Sequence, residues 1–212
     1  MKKPEIPSRF TSIVEVLSED DAPDRLDWLH PDELAVAQSI DLEQRRNQWI
    51  LARVAAKTLA MKLGLCDHPH DCVVPSRGVP PELWINGSRS LLHLSISHSH
   101  ELAAAAIDPE PIGVDIQMRR MIDSRATRFF LRDEERLLIG TGGEDVLLEL
   151  WGAKEAALKA AGVRLYRDVS LQKITEGDIE TFYYRAGSTE GRAETVWLGQ
   201  RQVVLAVARE KR

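Results

Sequence analysis

Residues 151–159 read Trp151-Gly152-Ala153-Lys154-Glu155-Ala156-Ala157-Leu158-Lys159. The stretch is rich in alanine, lacks proline and β-branched residues, and follows a leucine-rich segment, which predicts an α-helix. Glu155 and Lys159 are four residues apart, so a helix places them on one face. An ordinary surface ion pair explains this spacing as well as a functional pair does.

A second informative stretch lies upstream and reads Ile112-Gly113-Val114-Asp115-Ile116-Gln117. A carboxylate inside such an apolar run is costly to bury unless it binds something. Because side chains alternate along a strand, Gln117 shares a face with Asp115. This stretch favours a functional interpretation of Glu155 and Lys159.

Composition limits the class of protein. The 212 residues are 43% hydrophobic and 29% charged, which is typical of a soluble globular protein. A net charge of −5 argues against binding to nucleic acid or to an anionic membrane. The sequence has no apolar run long enough for a signal peptide or a membrane span, and two cysteines do not form a disulfide framework. We therefore expect a cytoplasmic protein.

Local patterns predict the remaining elements only in outline. The expected elements are a strand at 10–17, a helix at about 41–63 that ends at Gly64, a loop at 66–90, and a hairpin at 91–107.

The second half of the chain repeats the order of the first. Val14-Glu15-Val16 matches Val114-Asp115-Ile116 at an offset of 100, and residues 101–107 match 202–208 at an offset of 101. The spacing of Trp49, Arg53 and Lys57 recurs in Trp151, Glu155 and Lys159 at an offset of 102. Three matches in one order indicate an internal duplication. The sequence thus predicts an α+β fold with pseudo-twofold duplication, halves at 1–110 and 111–212, and a ligand site at their interface.

The two halves differ in the polar residues they offer to such a site. The first offers cations and hydrogen-bonding groups, namely Arg46, Arg53, Lys57, Arg77, Ser97 and His98. The second offers the oxygen ligands of Asp115, Gln117 and Glu155, which suit Mg²⁺. Lys159 is placed to neutralise phosphate oxygens or a leaving group. The residues themselves predict Mg²⁺-assisted chemistry on a phosphate-bearing ligand.

The two stretches together resemble the paired signature of the surfactin-type 4′-phosphopantetheinyl transferases. Further similarity covers most of the chain and includes the Arg53 helix, Arg77-Gly78 with Pro80, the segment 95–99, and Arg128-Phe129-Phe130 with Glu134. The resemblance implies a pseudo-dimeric fold of two α+β halves in a single chain, so we expect a monomer. It also implies transfer of the phosphopantetheine arm of coenzyme A to a serine of an apo carrier protein, with release of 3′,5′-ADP.

The resemblance assigns roles to single residues. Asp115 and Glu155 would hold Mg²⁺ against the pyrophosphate, and Glu155 or a water that it orients would be the base. Lys154 and Lys159 match two motif lysines that bind coenzyme A, with Lys159 on the phosphates. The nucleotide end, including its 3′-phosphate, would be bound in the first half by Arg53, Arg77 and His98, with Ser97 and Arg46 as further candidates.

Two positions depart from the family pattern. Gln117 stands where the family often has an acid, so the site carries less negative charge and we expect weaker metal binding. Gly152 stands where a small hydroxyl or thiol residue is usual. The loss of an acid at Gln117 keeps open a rival function, a module of the same fold that binds coenzyme A or a carrier protein without catalysis. A different Mg²⁺-dependent nucleotide-processing enzyme is a third alternative.

Two other clusters allow more than one interpretation. Six arginines lie between the two stretches, Arg119, Arg120, Arg125, Arg128, Arg132 and Arg136. They form either a solvated helical face or, with Phe129, Phe130, Met118 or Met121, a docking surface for an acidic carrier of fatty-acid, polyketide or peptide synthesis. Cys66-x-His68-x-His70-x-Cys72 is either a polar loop or, less in keeping with its spacing, a zinc site.

Overall fold

The computed structural model describes residues 4–20, 25–75, 80–123, 125–140, 143–176, 179–200 and 202–211. The chain has the α+β architecture that the sequence predicts. It divides into two compact units, Met1–Glu110 and Pro111–Arg212.

The first unit is built on a three-stranded antiparallel sheet covered by a long helix. Its elements are β1 (Val14–Ser18), α1 (Pro31–Gln38), α2 (Glu43–Lys62), β2 (Cys72–Val73), β3 (Trp84–Ile85), β4 (Ser88–Arg89), β5 (His93–Ser99) and β6 (Leu102–Asp108). The main sheet has the order β1-β6-β5, and β2-β3-β4 form a small separate sheet. Helix α2 packs on the main sheet, and its buried residues lie between Ile50 and Ala60.

The second unit repeats this plan with a larger sheet. Its elements are β7 (Ile112–Met118), α3 (Thr127–Phe130), α4 (Asp133–Arg136), α5 (Gly143–Ala161), β8 (Val169–Glu176), β9 (Ile179–Ala186), β10 (Thr189–Leu198) and β11 (Val203–Glu210). The antiparallel sheet has the order β7-β11-β10-β9-β8, and α5 packs across it.

The two units share strand order and register. In each, the first strand pairs with the last, and the last pairs with the one before it. Glu15 lies opposite Ala105, and Asp115 lies opposite Ala206. Asp115 follows Glu15 by 100 residues and Ala206 follows Ala105 by 101 residues, which are the offsets found in the sequence. The strands therefore support the predicted duplication.

The predicted helix offset of 102 residues is wrong. Lys57 pairs with the buried Glu33, and Lys154 pairs in the same way with Glu135. Lys62 pairs with Glu15 at the start of the sheet, where Lys159 pairs with Asp115. Both lysine matches give an offset of 97 residues. The spacing i, i+4, i+8 recurs on any helix face, so a match of residue types alone did not fix the register.

Some predicted elements also differ from those observed. The strand expected at 10–17 begins only at Val14, because Ser8–Phe10 form a turn of 3₁₀ helix. The segment expected to be a loop at 66–90 contains the three short strands β2, β3 and β4, which are too brief to show alternation. The sequence did not predict β8 and β9, which have no counterpart among the described residues of the first unit.

Candidate functional site

Helix α5 is buried along most of its length and leaves one stripe accessible. Between Leu147 and Ala160, all of which the structure describes, every residue is buried except Trp151, Glu155 and Lys159. These three side chains are four residues apart and lie on one helix face. The polar pair of the predicted signature thus lies at the edge of a packed core, which a simple surface ion pair does not require.

Glycine 113 allows β7 to lie directly against α5. A Cβ atom at this position would come within 1.9 Å of the Ala156 carbonyl oxygen and 2.7 Å of the Ala160 nitrogen. Only a residue without a side chain fits such a backbone-to-backbone approach. Because Gly113 is two residues before Asp115, the close packing positions that carboxylate beside the accessible stripe of α5.

Asp115 is the best-connected polar residue of the site. It is 3% exposed, and its Oδ2 accepts a hydrogen bond of 2.8 Å from the Gln117 amide nitrogen. The Lys159 ammonium donates to Asp115 Oδ1 at 2.9 Å and to the Val114 carbonyl at 2.8 Å. Strand alternation and the helix stripe therefore bring together three of the predicted residues.

Glu155 completes this group of four. Burial is the main cause that raises the pKa of its carboxyl group, and the Asp115 carboxylate raises it further. The Tyr166 hydroxyl, which donates a hydrogen bond to Glu155 Oε1, and the Lys159 ammonium act in the opposite direction. The negative charges of Asp115 and Glu155 therefore repel each other, and a bound cation would relieve this repulsion.

The group of Asp115, Gln117, Glu155 and Lys159 fits a hard divalent cation. Two carboxylates supply charge, and Gln117 uses its nitrogen on Asp115, which leaves its amide oxygen as the atom able to coordinate. Within the described residues no cluster contains three or more His, Cys, Asp or Glu side chains able to hold a metal. A cation here would therefore need water or substrate oxygens to complete its coordination, which is usual for Mg²⁺.

The structure corrects the role predicted for Lys154. Its side chain is completely buried, and its ammonium is bound to Glu135, which is itself 2% exposed. Burial lowers the pKa of Lys154, and the Glu135 carboxylate partly restores it. A buried ammonium that already has a carboxylate partner does not contact a cofactor, so Lys154 is a structural residue.

Glu135 is a connecting residue that sequence analysis missed. It accepts hydrogen bonds from the backbone nitrogens of Arg132 and Leu171, each at 2.8 Å, as well as from Lys154. In the first unit Glu33 does the same with the backbone nitrogens of His30 and Val74 and with Lys57. The repeated pattern of an acid in the first turn of a short helix was the signal available in the sequence.

Tyr166 is the second residue that was missed, and its sequence context gives no signal. It lies just before β8, 11 residues after Glu155. Its ring belongs to an aromatic cluster with Trp151, at a centroid distance of 6.0 Å, and Phe130, at 6.2 Å. Phe130 also packs edge-on against Trp151 at 4.5 Å. This packing fixes the phenol next to Glu155.

The first unit holds the residues predicted to bind the nucleotide end. Arg53 on α2 is 6% exposed, stacks over the Trp49 ring at 3.5 Å, and donates to the Trp49 carbonyl at 3.2 Å. Burial lowers the pKa of Arg53 to about 10, so it stays cationic at neutral pH. Its buried Nε has no hydrogen-bond partner within the described part of the chain. A buried N–H donor without an acceptor fits an anionic ligand.

The other predicted nucleotide-binding residues are less defined. Arg46 is half-buried on α2, and β5 carries the buried Ser97 next to the exposed His98. Helix α2 and β5 pack together, and Gln48 donates to the His100 carbonyl. Arg77 lies outside the described residues.

The arginine-rich segment 119–136 divides into two groups. Arg119, Arg132 and Arg136 contact partners in their own unit, namely Asp145, the Arg167 carbonyl and Asp133. Arg120 also belongs to this group, because it lies over the Trp151 ring at 5.9 Å. Arg125 and Arg128 are exposed, and so are the large apolar side chains of Met121 (82%) and Phe129 (83%).

The structure corrects two of the apolar residues proposed for the docking surface. Phe130 is 2% exposed and belongs to the core, so it is not available to a partner. Met118, at the end of β7, is only half-buried and is a weaker candidate than Met121. The accessible surface therefore combines Arg125 and Arg128 with Met121 and Phe129.

The Cys66–Cys72 segment is a loop between α2 and β2. Both cysteines are buried, and neither forms a disulfide within the described residues. His70 Nε2 contacts the Asp27 carbonyl at 2.7 Å instead of the cysteines. His70 and the cysteines therefore have different surroundings, in agreement with a loop and not with a zinc site.

Within the described residues, no helix has both the length and the apolar composition that crossing a membrane requires.

The second unit is similar to a known protein family. Residues 111–208 match the model of the 4′-phosphopantetheinyl transferase superfamily. The chain is 28% identical over 103 residues to the 4′-phosphopantetheinyl transferase gsp of Aneurinibacillus migulanus, covering 47% of this chain and 44% of that protein. It is 36% identical over 74 residues to psf-1 of Bacillus pumilus and 35% identical to Sfp of Bacillus subtilis strain 168 over the same length, a third of each chain. In these matches the chain spans less than half the length of each relative.

Proposed function

We propose, from the premise that residues 111–208 of this chain belong to the 4′-phosphopantetheinyl transferase superfamily, that the protein transfers the phosphopantetheine arm of coenzyme A to a carrier protein. The acceptor is a serine of the apo carrier, and the second product is 3′,5′-ADP. The reaction requires Mg²⁺.

The observation that carries this proposal is the group of four side chains at the edge of α5. Asp115, Gln117 and Lys159 are joined by hydrogen bonds of 2.8–2.9 Å, and Glu155 lies close enough for its pKa to respond to Asp115 and Lys159. The group lies inside the segment that matches the superfamily. Its charges suit a divalent cation bound to a pyrophosphate.

The chemistry follows from the charges in this group. The carrier serine oxygen forms a bond to the phosphorus that bears the pantetheine arm, and the bond from that phosphorus to the bridging pyrophosphate oxygen breaks. The serine proton passes to Glu155 or to a water that Glu155 orients, and burial favours this by raising the pKa of Glu155. Mg²⁺ held by Asp115, Glu155 and Gln117 would neutralise pyrophosphate charge.

Lys159 supplies a second positive charge. Its ammonium is anchored by Asp115 and by the Val114 carbonyl, and its side chain is 30% exposed, so one donor direction can face a ligand. We assign it to the phosphate oxygens on which negative charge accumulates as 3′,5′-ADP leaves.

We assign the nucleotide end of coenzyme A to the first unit. Arg53 is a buried cation with an unsatisfied donor, and a guanidinium suits the 3′-phosphate. His98, Ser97, Arg46 and Arg77 remain predictions for the same role.

We assign carrier docking to the exposed part of the segment 119–136. Arg125 and Arg128 are exposed cations there, beside the exposed Arg119, Arg120 and Arg132, and Met121 and Phe129 are exposed apolar side chains. An acidic carrier with an apolar contact patch complements this combination. The protein acts as a cytoplasmic monomer in this proposal.

The decisive experiment is intact-protein mass spectrometry of an apo carrier protein incubated with this chain, coenzyme A and Mg²⁺. The carrier should gain the mass of one phosphopantetheine group, and the gain should disappear in D115A and E155Q. The matched control is E144Q, which removes an exposed acid from the first turn of the same helix. We expect this variant to retain full activity.

Other outcomes would select the alternatives. Binding of coenzyme A without modification of several acidic carriers would indicate a non-catalytic binding module, for which the uncharged Gln117 is the natural cause. A nucleotide product without modification of any protein would indicate a different Mg²⁺-dependent enzyme. Absence of both binding and transfer would overturn the proposal.

A further inference from the structure

Tyr166 lies outside the predicted signature but contacts one of its residues, Glu155. Its hydroxyl donates to Glu155 Oε1, while its ring packs against Trp151 and Phe130. Of these two rings, Trp151 lies on the accessible stripe of α5 one turn before Glu155, and Phe130 ends α3. The phenol is thus held from two sides and reaches the carboxylate from a third element.

We propose that Tyr166 is a positioning residue that holds Glu155 in the orientation required to bind a divalent cation. A glutamate on a helix surface has three rotatable side-chain bonds, and ordering them on metal binding costs conformational free energy. A hydrogen bond to Oε1 from a ring fixed by aromatic packing removes much of that freedom in advance. Oε2 is then the oxygen of Glu155 that is left for the cation.

The packing around the phenol supports positioning over general stabilisation. Tyr166 is only half-buried, so its hydroxyl could be hydrated if it were not directed at Glu155. Lys159 and Asp115 also act electrostatically on Glu155, and neither lies on the 3₁₀ turn that carries Tyr166. The hydroxyl therefore acts on Glu155 through an element separate from the helix and strand that carry the rest of the site.

The same aromatic cluster joins Glu155 to the proposed docking surface. Phe130 is buried in the cluster, whereas its neighbour Phe129 is 83% exposed. Phe129 and Phe130 are adjacent residues of α3, and Phe130 packs against the Tyr166 ring. A carrier that contacts Phe129 would therefore act on the helix that supports Tyr166. This inference rests on the proposed function for its link to the carrier, but the positioning of Glu155 can be measured without a carrier.

The test compares Y166F with Y183F and E155Q in the full chain. Y166F removes the hydroxyl and keeps the ring. Y183F is the matched control, because Tyr183 also donates to a glutamate, Glu190, but lies on β9 outside the site. Binding of Mn²⁺, used as a spectroscopic probe for Mg²⁺, is followed by electron paramagnetic resonance without carrier. Thermal unfolding confirms that each variant is folded.

We expect Y166F to bind Mn²⁺ about fivefold more weakly, the effect of losing one hydrogen bond. In the transfer assay kcat should fall at least as much, while the dissociation constant of coenzyme A measured without metal stays unchanged. Y183F should match the wild type in all three measurements. E155Q should lose most Mn²⁺ binding.

The inference is overturned if folded Y166F binds Mn²⁺ as tightly as the wild type or more tightly, or if E155Q leaves Mn²⁺ binding unchanged. Failure of the proposed function has a different signature. In that case the wild type binds Mn²⁺ and responds to Y166F as expected, but no carrier gains mass.

Discussion

Replacement of Gly113 by alanine tests how the site is built. The added Cβ would lie 1.9 Å from the Ala156 carbonyl oxygen, 1.1 Å short of the 3.0 Å below which Cβ contacts essentially never occur. The obstacle is helix backbone, so β7 and α5 must separate along their contact. Overpacking of this kind costs about 1–3 kcal/mol or more. We expect G113A to be at the upper end, about 3 kcal/mol, because no flexible side chain can move aside.

The control is the other glycine of the signature. A Cβ on Gly152 would meet the Ala206 side chain at 3.3 Å, a tight contact that a small shift relieves. Alanine gains about 1 kcal/mol over glycine inside a helix, which offsets that contact. G152A should therefore unfold within about 1 kcal/mol of the wild type.

Thermal unfolding followed by circular dichroism measures the difference. A loss of about 3 kcal/mol should lower the unfolding temperature by about 10 °C in a chain of this size. G113A should also reduce Mn²⁺ binding, because Asp115 moves with β7. A G113A protein as stable as the wild type, or less affected than G152A, would contradict the close packing of β7 on α5.

Four further predictions concern other parts of the molecule. K154M leaves Glu135 buried without its cation and should destabilise the protein by about 3 kcal/mol in urea unfolding. K154M with E135Q removes the buried charge and keeps an acceptor for the backbone nitrogens of Arg132 and Leu171, so this pair should recover part of that loss. R53Q should weaken binding of coenzyme A about tenfold in calorimetry and leave binding of 3′-dephospho-coenzyme A nearly unchanged. F129A should raise KM for the carrier severalfold without changing the stability of the protein. Burial raises the pKa of Cys72 to about 12, so the stability that this thiol contributes is constant at neutral pH and falls only above about pH 9. Iodoacetamide at pH 8 should therefore modify Cys72 about a thousandfold more slowly in the native protein than in urea.

The parts of the site that follow local periodicity could be predicted from the sequence. The proximity of Asp115 to Gln117 follows from strand alternation, and the shared face of Glu155 and Lys159 follows from the helical repeat. The hairpin of β5 and β6 was predicted on the same basis.

The parts that depend on tertiary packing could not be predicted. Tyr166 reaches Glu155 because a turn leads the chain back past α5, and Glu135 reaches Lys154 because α4 packs beside β8. Neither contact has a periodic spacing. The helix offset failed for a related reason, since burial and partners, not residue type, distinguish Lys57 from Lys62 as the counterpart of Lys154.

The paired lysines of α2 and α5 also define which residues of the two units correspond. At the offset they define, Glu155 corresponds to Thr58, and along the strands Gln117 corresponds to Leu17. Both units contain the internal lysine–glutamate anchor and an acid on the first strand that pairs with a lysine. They differ at these two positions and in the added segment that carries Tyr166, β8 and β9. Because T58E and L17Q would add a carboxylate and an amide beside Glu15, the two substitutions together should give the first unit a measurable Mn²⁺ affinity.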